Sequence, residues 1–188
     1  HPILADKMTG SGRRPAIDFV ICEKYPIPKI AIETKWVGDD GLSVSSIVWD
    51  LIRLSLLNLN FGADCYFVLG GQRKALKKLF ARDDFAGKHG HDEMKPILKT
   101  ETSNLCRLNL VPTEHWRTPL LKECFSGWPE LLPSPQRIIT CRSEPFPANP
   151  PLSRYQVYAW KVSHAKGQGT FMPAKNKYYT QPANSPLE

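Results

Sequence analysis

The sequence has few of the features that mark membrane, secreted and zinc-ribbon proteins. It contains no apolar run of about eighteen residues, the length that crosses a bilayer, so it predicts no membrane partner. Its 5 cysteines are an odd number without a C-x-x-C pair, which argues against a disulfide framework and a zinc ribbon. It also lacks a basic segment followed by an apolar stretch and a small-residue cleavage site. We therefore expect reduced thiols and a cytoplasmic protein.

The composition is that of a globular domain with an uneven positive charge. The 188 residues are 41% hydrophobic and 23% charged, which is enough to bury a core. The net charge is +7; residues 1–94 carry 13 basic and 12 acidic residues, whereas residues 95–188 carry 12 and 6. Such an excess favours a polyanionic partner such as DNA, because each cation that neutralises a phosphate releases a counterion. Many basic proteins nevertheless bind no nucleic acid.

Proline is concentrated in the second half of the sequence, where 13 of the 17 prolines lie. We therefore expect a compact α/β core over residues 1–94 and a Pro-rich elaboration packed on it over residues 95–162. Residues 163–188 are polar and poor in aliphatic side chains, which predicts a loosely ordered tail.

The hydrophobic pattern of the first half predicts the element order ββαβα. The predicted elements are strands at residues 16–22 and 29–36, a helix from Ser43 or Ser45 to about residue 59, a strand at residues 64–69 that stops at Gly70-Gly71, and a helix at residues 72–82. A Pro-containing turn makes the first two strands a hairpin, and a wide apolar face predicts that the first helix is buried. Later candidates are strands at residues 105–111, 137–141 and 155–162 and a short helix at residues 118–125.

Three charged residues lie within the two strands of the predicted hairpin. Alternate side chains of a strand share a face, so Glu33 and Lys35 point the same way while Thr34 points oppositely. The hairpin can bring Asp18 of the first strand beside them. Two carboxylates that converge near a main-chain carbonyl form the hard oxygen environment that Mg²⁺ prefers.

The apolar context of these charges favours a bound partner. Asp18 lies between Ile17 and Phe19, and Glu33 follows Ile32, so the charges sit in runs that otherwise favour burial. A metal ion is one of the few partners that compensates two buried carboxylates at once. The alternative is an ion pair of Glu33 and Lys35 on an exposed strand, worth roughly 0 to 1 kcal/mol, with Asp18 a polar residue at a strand edge.

The pattern resembles the PD-(D/E)XK nuclease superfamily. The resemblance consists of Asp18, fourteen intervening residues and then Glu33-Thr34-Lys35 on an apolar strand followed by a helix. It implies an α/β (α+β) fold with a restriction-endonuclease-like core, a central mixed β-sheet flanked by helices, here with a Pro-rich C-terminal extension. It also implies Mg²⁺, for which Mn²⁺ can substitute, with Asp18, Glu33 and the Thr34 carbonyl as ligands. Lys35 would orient the attacking water or stabilise charge in the transition state.

The sequence also departs from the family pattern. The common core begins with a helix, often carrying another acidic ligand, and one strand before the Asp strand. Here seventeen residues precede Asp18, and Asp6 is the only acidic residue among them. The family proline is displaced as well, because Pro15 lies three residues before Asp18.

Two further groups of residues have both a functional and a structural interpretation. Asp50 and Arg53 on the first helix are either accessory polar residues or a helix-stabilising pair at i, i+3. Arg73, Lys74 and Lys77 follow Gly70-Gly71 and give the second helix a basic surface, which is either a track for a nucleic-acid backbone or an ordinary solvated face.

The leading hypothesis is an enzyme, a divalent-metal-dependent endonuclease that hydrolyses DNA phosphodiester bonds and possesses catalytic residues Asp18, Glu33 and Lys35. A homodimer is compatible with it, since cutting both strands of a duplex usually takes two active sites. The first alternative is a catalytically silent or partner-dependent nucleic-acid-binding module of the same fold. The second is an unrelated α/β protein in which these acidic and lysine residues are structural.

Overall fold

The structure is a computed structural model that describes residues 17–89, 92–93, 95–101, 105–111, 117–126, 128, 130–143, 145–146, 154–164, 167 and 169–180. Asp6 and Pro15 therefore lie outside the described residues. In chain order the elements are β1 (Phe19–Lys24), β2 (Ile27–Val37), α1 (Val44–Phe61), β3 (Asp64–Gln72), α2 (Arg73–Phe80), α3 (Asp83–Ala86), β4 (Lys88–His89), β5 (Asp92–Glu93), β6 (Leu105–Asn109), α4 (Thr118–Phe125), β7 (Ser134–Pro135), β8 (Arg137–Arg142), β9 (Tyr155–His164), β10 (Thr170–Phe171), a 3₁₀ turn (Pro173–Lys175) and α5 (Lys177–Thr180).

The central sheet has six strands in the order β1-β2-β3-β9-β8-β6. The predicted hairpin is confirmed, because β1 and β2 pair antiparallel with Phe19 opposite Ile32. Strands β2 and β3 are parallel, and the other neighbours are antiparallel, so the sheet is mixed. The connection between the two parallel strands is the crossover helix α1, as parallel pairing requires. The chain therefore has a mixed α/β fold with a central mixed sheet flanked by helices.

Helix α1 is the centre of the core, as its apolar pattern predicts. Its residues from Val44 to Leu57 are buried apart from Ser46 and Trp49, because one side of the helix packs on β2, β3 and β9 and another packs against α4. The helix ends at Gly62, whose φ of 67° suits glycine and whose N–H donates to the Asn58 carbonyl. Ser43 precedes the helix, but its hydroxyl pairs with that of Ser45 and does not cap the first turn.

Strand β3 continues through the two glycines at which the pattern predicted its end. Gly70 and Gly71 both belong to β3, and Gly71 lies opposite Val37 of β2. A Cβ atom on Gly71 would lie 2.8 Å from the Val37 carbonyl oxygen and 3.0 Å from the Val37 Cβ. Glycine is therefore needed at position 71 because the neighbouring strand approaches closely, and not because the strand ends there. Helix α2 follows directly and is shorter than predicted, and its Leu76 and Leu79 are buried as expected.

The face of the sheet opposite α1 carries exposed apolar side chains at the hairpin. Phe19, Ile21 and Trp36 are 59%, 55% and 58% exposed. The register places Phe19 beside Ile32 and Ile21 beside Ile30, so these side chains share one face. Residues Ala31, Glu33 and Val37 of β2 alternate with them and face the core.

The second half of the chain adds β6, β8 and β9 to the sheet and α4 to the core, at positions close to those predicted. Part of the segment that composition predicts to be a loosely ordered tail is described, and it contacts the core. Ser163 and His164 are the last residues of β9, and Tyr179 packs on Phe125 with ring centroids 4.8 Å apart. These aromatic contacts hold a segment that is poor in aliphatic residues. Residues 181–188 lie outside the described part of the chain.

None of the helices formed by the described residues combines the length and the hydropathy that crossing a bilayer requires.

Candidate active site

Glu33 and Lys35 lie on β2 just beyond the stretch that β1 covers. The last register pair of the hairpin is Phe19 with Ile32, and among the described residues β3 is the strand that pairs with β2 from Glu33 onward. Glu33 is 1% exposed, whereas the Lys35 side chain is 30% exposed. The predicted alternation is confirmed: Glu33 lies on the face that α1 covers, and Lys35 extends from that face toward the surface.

Helix α1 supplies two charged residues that meet them. Asp50 and Arg53 are one turn apart, and the Arg53 guanidinium donates to the Asp50 carboxylate at 2.8 Å. The same Nη2 atom of Arg53 also donates to Oε1 of Glu33. The Lys35 ammonium lies 3.0 Å from the second oxygen of Asp50. A continuous line of ion pairs therefore runs from Lys35 through Asp50 and Arg53 to Glu33.

Asp18 joins this group from the residue just before β1. Its exposed carboxylate accepts two hydrogen bonds from Thr34, one from the main-chain N–H and one from the hydroxyl, both at 2.8 Å. Partial burial raises the pKa of Asp18, but these bonds and the positive charges of Lys35 and Arg53 outweigh it and hold the pKa below its ordinary 3.8. Asp18 is thus ionised at neutral pH. We call Asp18, Glu33, Lys35, Asp50 and Arg53 the charged cluster.

Glu33 has a perturbed acidity because it is buried. Burial disfavours its charged form and raises its pKa from 4.5 to about 7. The Arg53 guanidinium and the Lys35 ammonium lower this pKa, while the carboxylates of Asp50 and Asp18 raise it. The Asp18 charge is thus one of the influences on the pKa of Glu33. A buried carboxyl group with a pKa near neutrality is a feature of functional sites as well as of structural ion-pair networks.

The oxygen atoms of the charged cluster have the chemistry that a hard divalent cation needs. Among the described residues, no three His, Cys, Asp or Glu side chains converge closely enough to hold a metal ion between them. A site with two carboxylates, one main-chain carbonyl and water is a different donor set, and Asp18 and Glu33 can supply its carboxylates. The N–H and C=O of one strand residue point to the same side, so the Thr34 carbonyl faces the side on which Asp18 lies. These are oxygen donors of the kind that Mg²⁺ takes in proteins, and in this structure Oε1 of Glu33 accepts from the Arg53 guanidinium.

The structure binds Asp18 to Thr34, and it links Glu33 to Lys35 through Arg53 and Asp50. Asp50 and Arg53 do more than stabilise their own helix. They link Glu33 to Lys35 across the contact between α1 and β2. The signal in the sequence was their position on an apolar helix face, where charged residues need partners. On α2, Lys74 and Lys77 are exposed and Arg73 is half-buried, so these three predicted nucleic-acid contacts lie outside the charged cluster.

Comparison with known proteins identifies no relative: the chain matches no protein-family model, no curated protein and no solved structure. Function is therefore inferred from the residues and their contacts alone.

Proposed function

We propose that the protein is a divalent-metal-dependent endonuclease that hydrolyses DNA phosphodiester bonds, with a core of the restriction-endonuclease-like type. One set of contacts carries the proposal: Thr34, which lies between Glu33 and Lys35 in the chain, binds the Asp18 carboxylate, while the buried Glu33 and the Lys35 ammonium are linked through Arg53 and Asp50 of α1. The cytoplasm as location and a homodimer with two active sites belong to the same proposal.

In this proposal Asp18 and Glu33 hold Mg²⁺, with Mn²⁺ as a substitute and the Thr34 carbonyl as a further ligand. The cation supplies Lewis-acid stabilisation of charge on the phosphoryl group and lowers the pKa of water. Thr34 fixes the Asp18 carboxylate through two hydrogen bonds. Asp50 holds the Lys35 ammonium 3.0 Å away on the rim of the charged cluster, from where Lys35 can orient the attacking water or offset charge in the transition state.

Arg53 keeps the buried Glu33 compensated when no cation is bound. A buried carboxylate without a partner is costly, and the guanidinium offsets that cost. Binding of a divalent cation then requires Arg53 to give up part of its contact with Glu33 while it keeps its contact with Asp50. The two partners of Arg53 make such an exchange possible without leaving the guanidinium uncompensated.

The same contact supports a second candidate function. If Arg53 remains paired with Glu33 under all conditions, the charged cluster is a structural ion-pair network. The protein is then a catalytically silent or partner-dependent module that binds nucleic acid through its positive charge. This candidate predicts DNA binding that weakens steeply with salt, and no cleavage with any metal.

The test is nicking and linearisation of supercoiled plasmid DNA by the purified protein with Mg²⁺, with Mn²⁺ and with EDTA. Asp18→Asn, Glu33→Gln and Lys35→Met are each expected to reduce cleavage by roughly 100-fold or more. Asp64→Asn and Glu23→Gln are matched controls, because they change the same residue types in exposed surface ion pairs. They are expected to cleave like the unaltered protein.

Metal-independent cleavage, or full activity in all three cluster variants, would reject the proposed active site. Salt-sensitive binding without cleavage in Mg²⁺ and Mn²⁺ would favour the silent module. Thermal unfolding of each variant shows whether a loss of cleavage reflects a loss of fold.

A further inference from the structure

A concave feature lies beyond the end of β2. It is a cavity of about 240 Å³ between the loop that follows β2 and helix α2, and we call it the α2 pocket. The residues of its wall that matter here are Gly38, Gly41, Leu42, Lys74, Lys78 and Arg82.

The α2 pocket has a surplus of positive charge. Lys74 and Lys78 are one helical turn apart, so they project on the same side of α2. Within the described part of the chain, neither ammonium group has a hydrogen bond or an ion pair. Arg82 is already paired with Asp84, and the carboxylate of Asp39 is the acidic group on the wall. Two lysines that have no partner among the described residues therefore outnumber one carboxylate on this wall, which makes the pocket suitable for an anion.

The wall of the α2 pocket is held in place by the protein itself. The Arg82 guanidinium donates to the Leu42 carbonyl at 3.0 Å, which ties the loop after β2 to the end of α2. Gly41 has a φ of 82° and its N–H donates to the Gly38 carbonyl at 3.2 Å, so the loop makes a tight turn that requires glycine. A preformed wall of this kind lowers the entropy cost of binding.

The α2 pocket begins close to Lys35 in the chain, because Gly38 belongs to its wall. Gly38 follows Val37, which shares its strand face with Glu33 and Lys35. Gly38 is three residues beyond Lys35, a distance of roughly 10 Å along an extended chain. A nucleic-acid strand advances about 3.4 Å per nucleotide, so roughly three nucleotides span the gap.

We propose that the α2 pocket binds a backbone phosphodiester of the nucleic acid that the charged cluster cuts, about three nucleotides from the cut. The nature of the nucleic acid rests on the proposed function, whereas the anion site rests on the pocket alone. Exposed lysines on an open wall suit a strand that passes across the surface, since a small enclosed ligand would need buried donors. Lys74, a predicted nucleic-acid contact, belongs to this site together with Lys78.

The test is fluorescence anisotropy of a labelled DNA duplex of about 20 base pairs, titrated in EDTA so that binding is measured without cleavage. The pocket variant is Lys74→Gln with Lys78→Gln. The control variant is Lys24→Gln with Lys175→Gln, which removes the same charge at exposed positions elsewhere. The pocket variant is expected to bind roughly tenfold more weakly, and to reduce the steepness of log Kd against log salt by about 2. The control is expected to change each value by less than half as much.

Asp39→Asn is expected to strengthen binding about two- to threefold, because it removes the carboxylate from the wall. Equal losses in the pocket and control variants would overturn the proposal, as would a wild-type protein that does not bind the duplex. Competition by inorganic pyrophosphate at micromolar concentration would also overturn it, because the pocket would then be a site for free phosphates. Binding that depends on the pocket without cleavage in Mg²⁺ would reject the endonuclease and leave the anion site standing.

Discussion

The raised pKa of Glu33 predicts a specific dependence of stability on pH. The unfolded chain loses the Glu33 proton near pH 4.5, whereas the folded protein holds it to about pH 7. The contribution of this pKa difference to the free energy of unfolding is therefore fully present below pH 4.5 and is lost as the pH rises through 7. At 1.36 kcal/mol per unit of pKa, the difference between the two values corresponds to about 3 kcal/mol.

Glu33→Gln removes this titration while it keeps an oxygen that can accept from Arg53. The free energy of unfolding of the variant, relative to that of the unaltered protein, is expected to rise by about 3 kcal/mol between about pH 4.5 and about pH 8. The assay is urea unfolding in EDTA at intervals of about one pH unit. Glu23→Gln, which removes the carboxylate of an exposed ion pair, is the matched control and is expected to change stability by less than about 1 kcal/mol.

A relative change below about 1 kcal/mol for Glu33→Gln across that range would refute the reasoning, since Glu33 would then be ionised in the folded protein throughout. A change of the opposite sign would show that the Arg53 ion pair outweighs burial.

The two remaining predictions concern the packing of the charged cluster and of the sheet. Arg53→Met leaves the carboxylates of Glu33 and Asp50 without their buried cation. It is expected to lower the free energy of unfolding by about 3–5 kcal/mol near pH 8, but by less near pH 5, because Glu33 takes up a proton there. Urea unfolding at both pH values checks this. A similar loss at both values would contradict it. Gly71→Ala places a Cβ 2.8 Å from the Val37 carbonyl oxygen and is expected to lower the free energy of unfolding, measured by thermal unfolding, by about 1–3 kcal/mol. The Cβ of Gly38→Ala meets nothing within 4 Å, so this variant is expected to change the free energy of unfolding by less than about 0.5 kcal/mol. Equal effects of the two substitutions would show that strand spacing does not explain Gly71.

Local patterns were sufficient to predict the elements that build the candidate active site. The alternation around Glu33 and Lys35 assigned both to one strand face, and the short Pro-containing turn brought Asp18 back beside them. These inferences depend on neighbours in sequence or on a single hairpin, where the geometry has few alternatives.

The contacts that the sequence did not predict depend on how distant elements pack. The bond from Arg53 to Glu33 forms only when α1 lies across β2, and Gly71 is required by the approach of Val37 from a parallel strand. Tyr179 is held by Phe125 of α4, far away in the chain, so local composition alone predicted a loose segment. Residues whose roles are set by tertiary neighbours cannot be identified from periodicity.

The most direct test of the central claim is a crystal of the protein soaked in Mn²⁺ and measured for anomalous scattering. The account predicts a peak bound by carboxylate oxygens of Asp18 and Glu33, with the Arg53 guanidinium shifted toward Asp50. Saturating Mn²⁺ with no peak at the charged cluster, and with Arg53 still bound to Glu33, would contradict it.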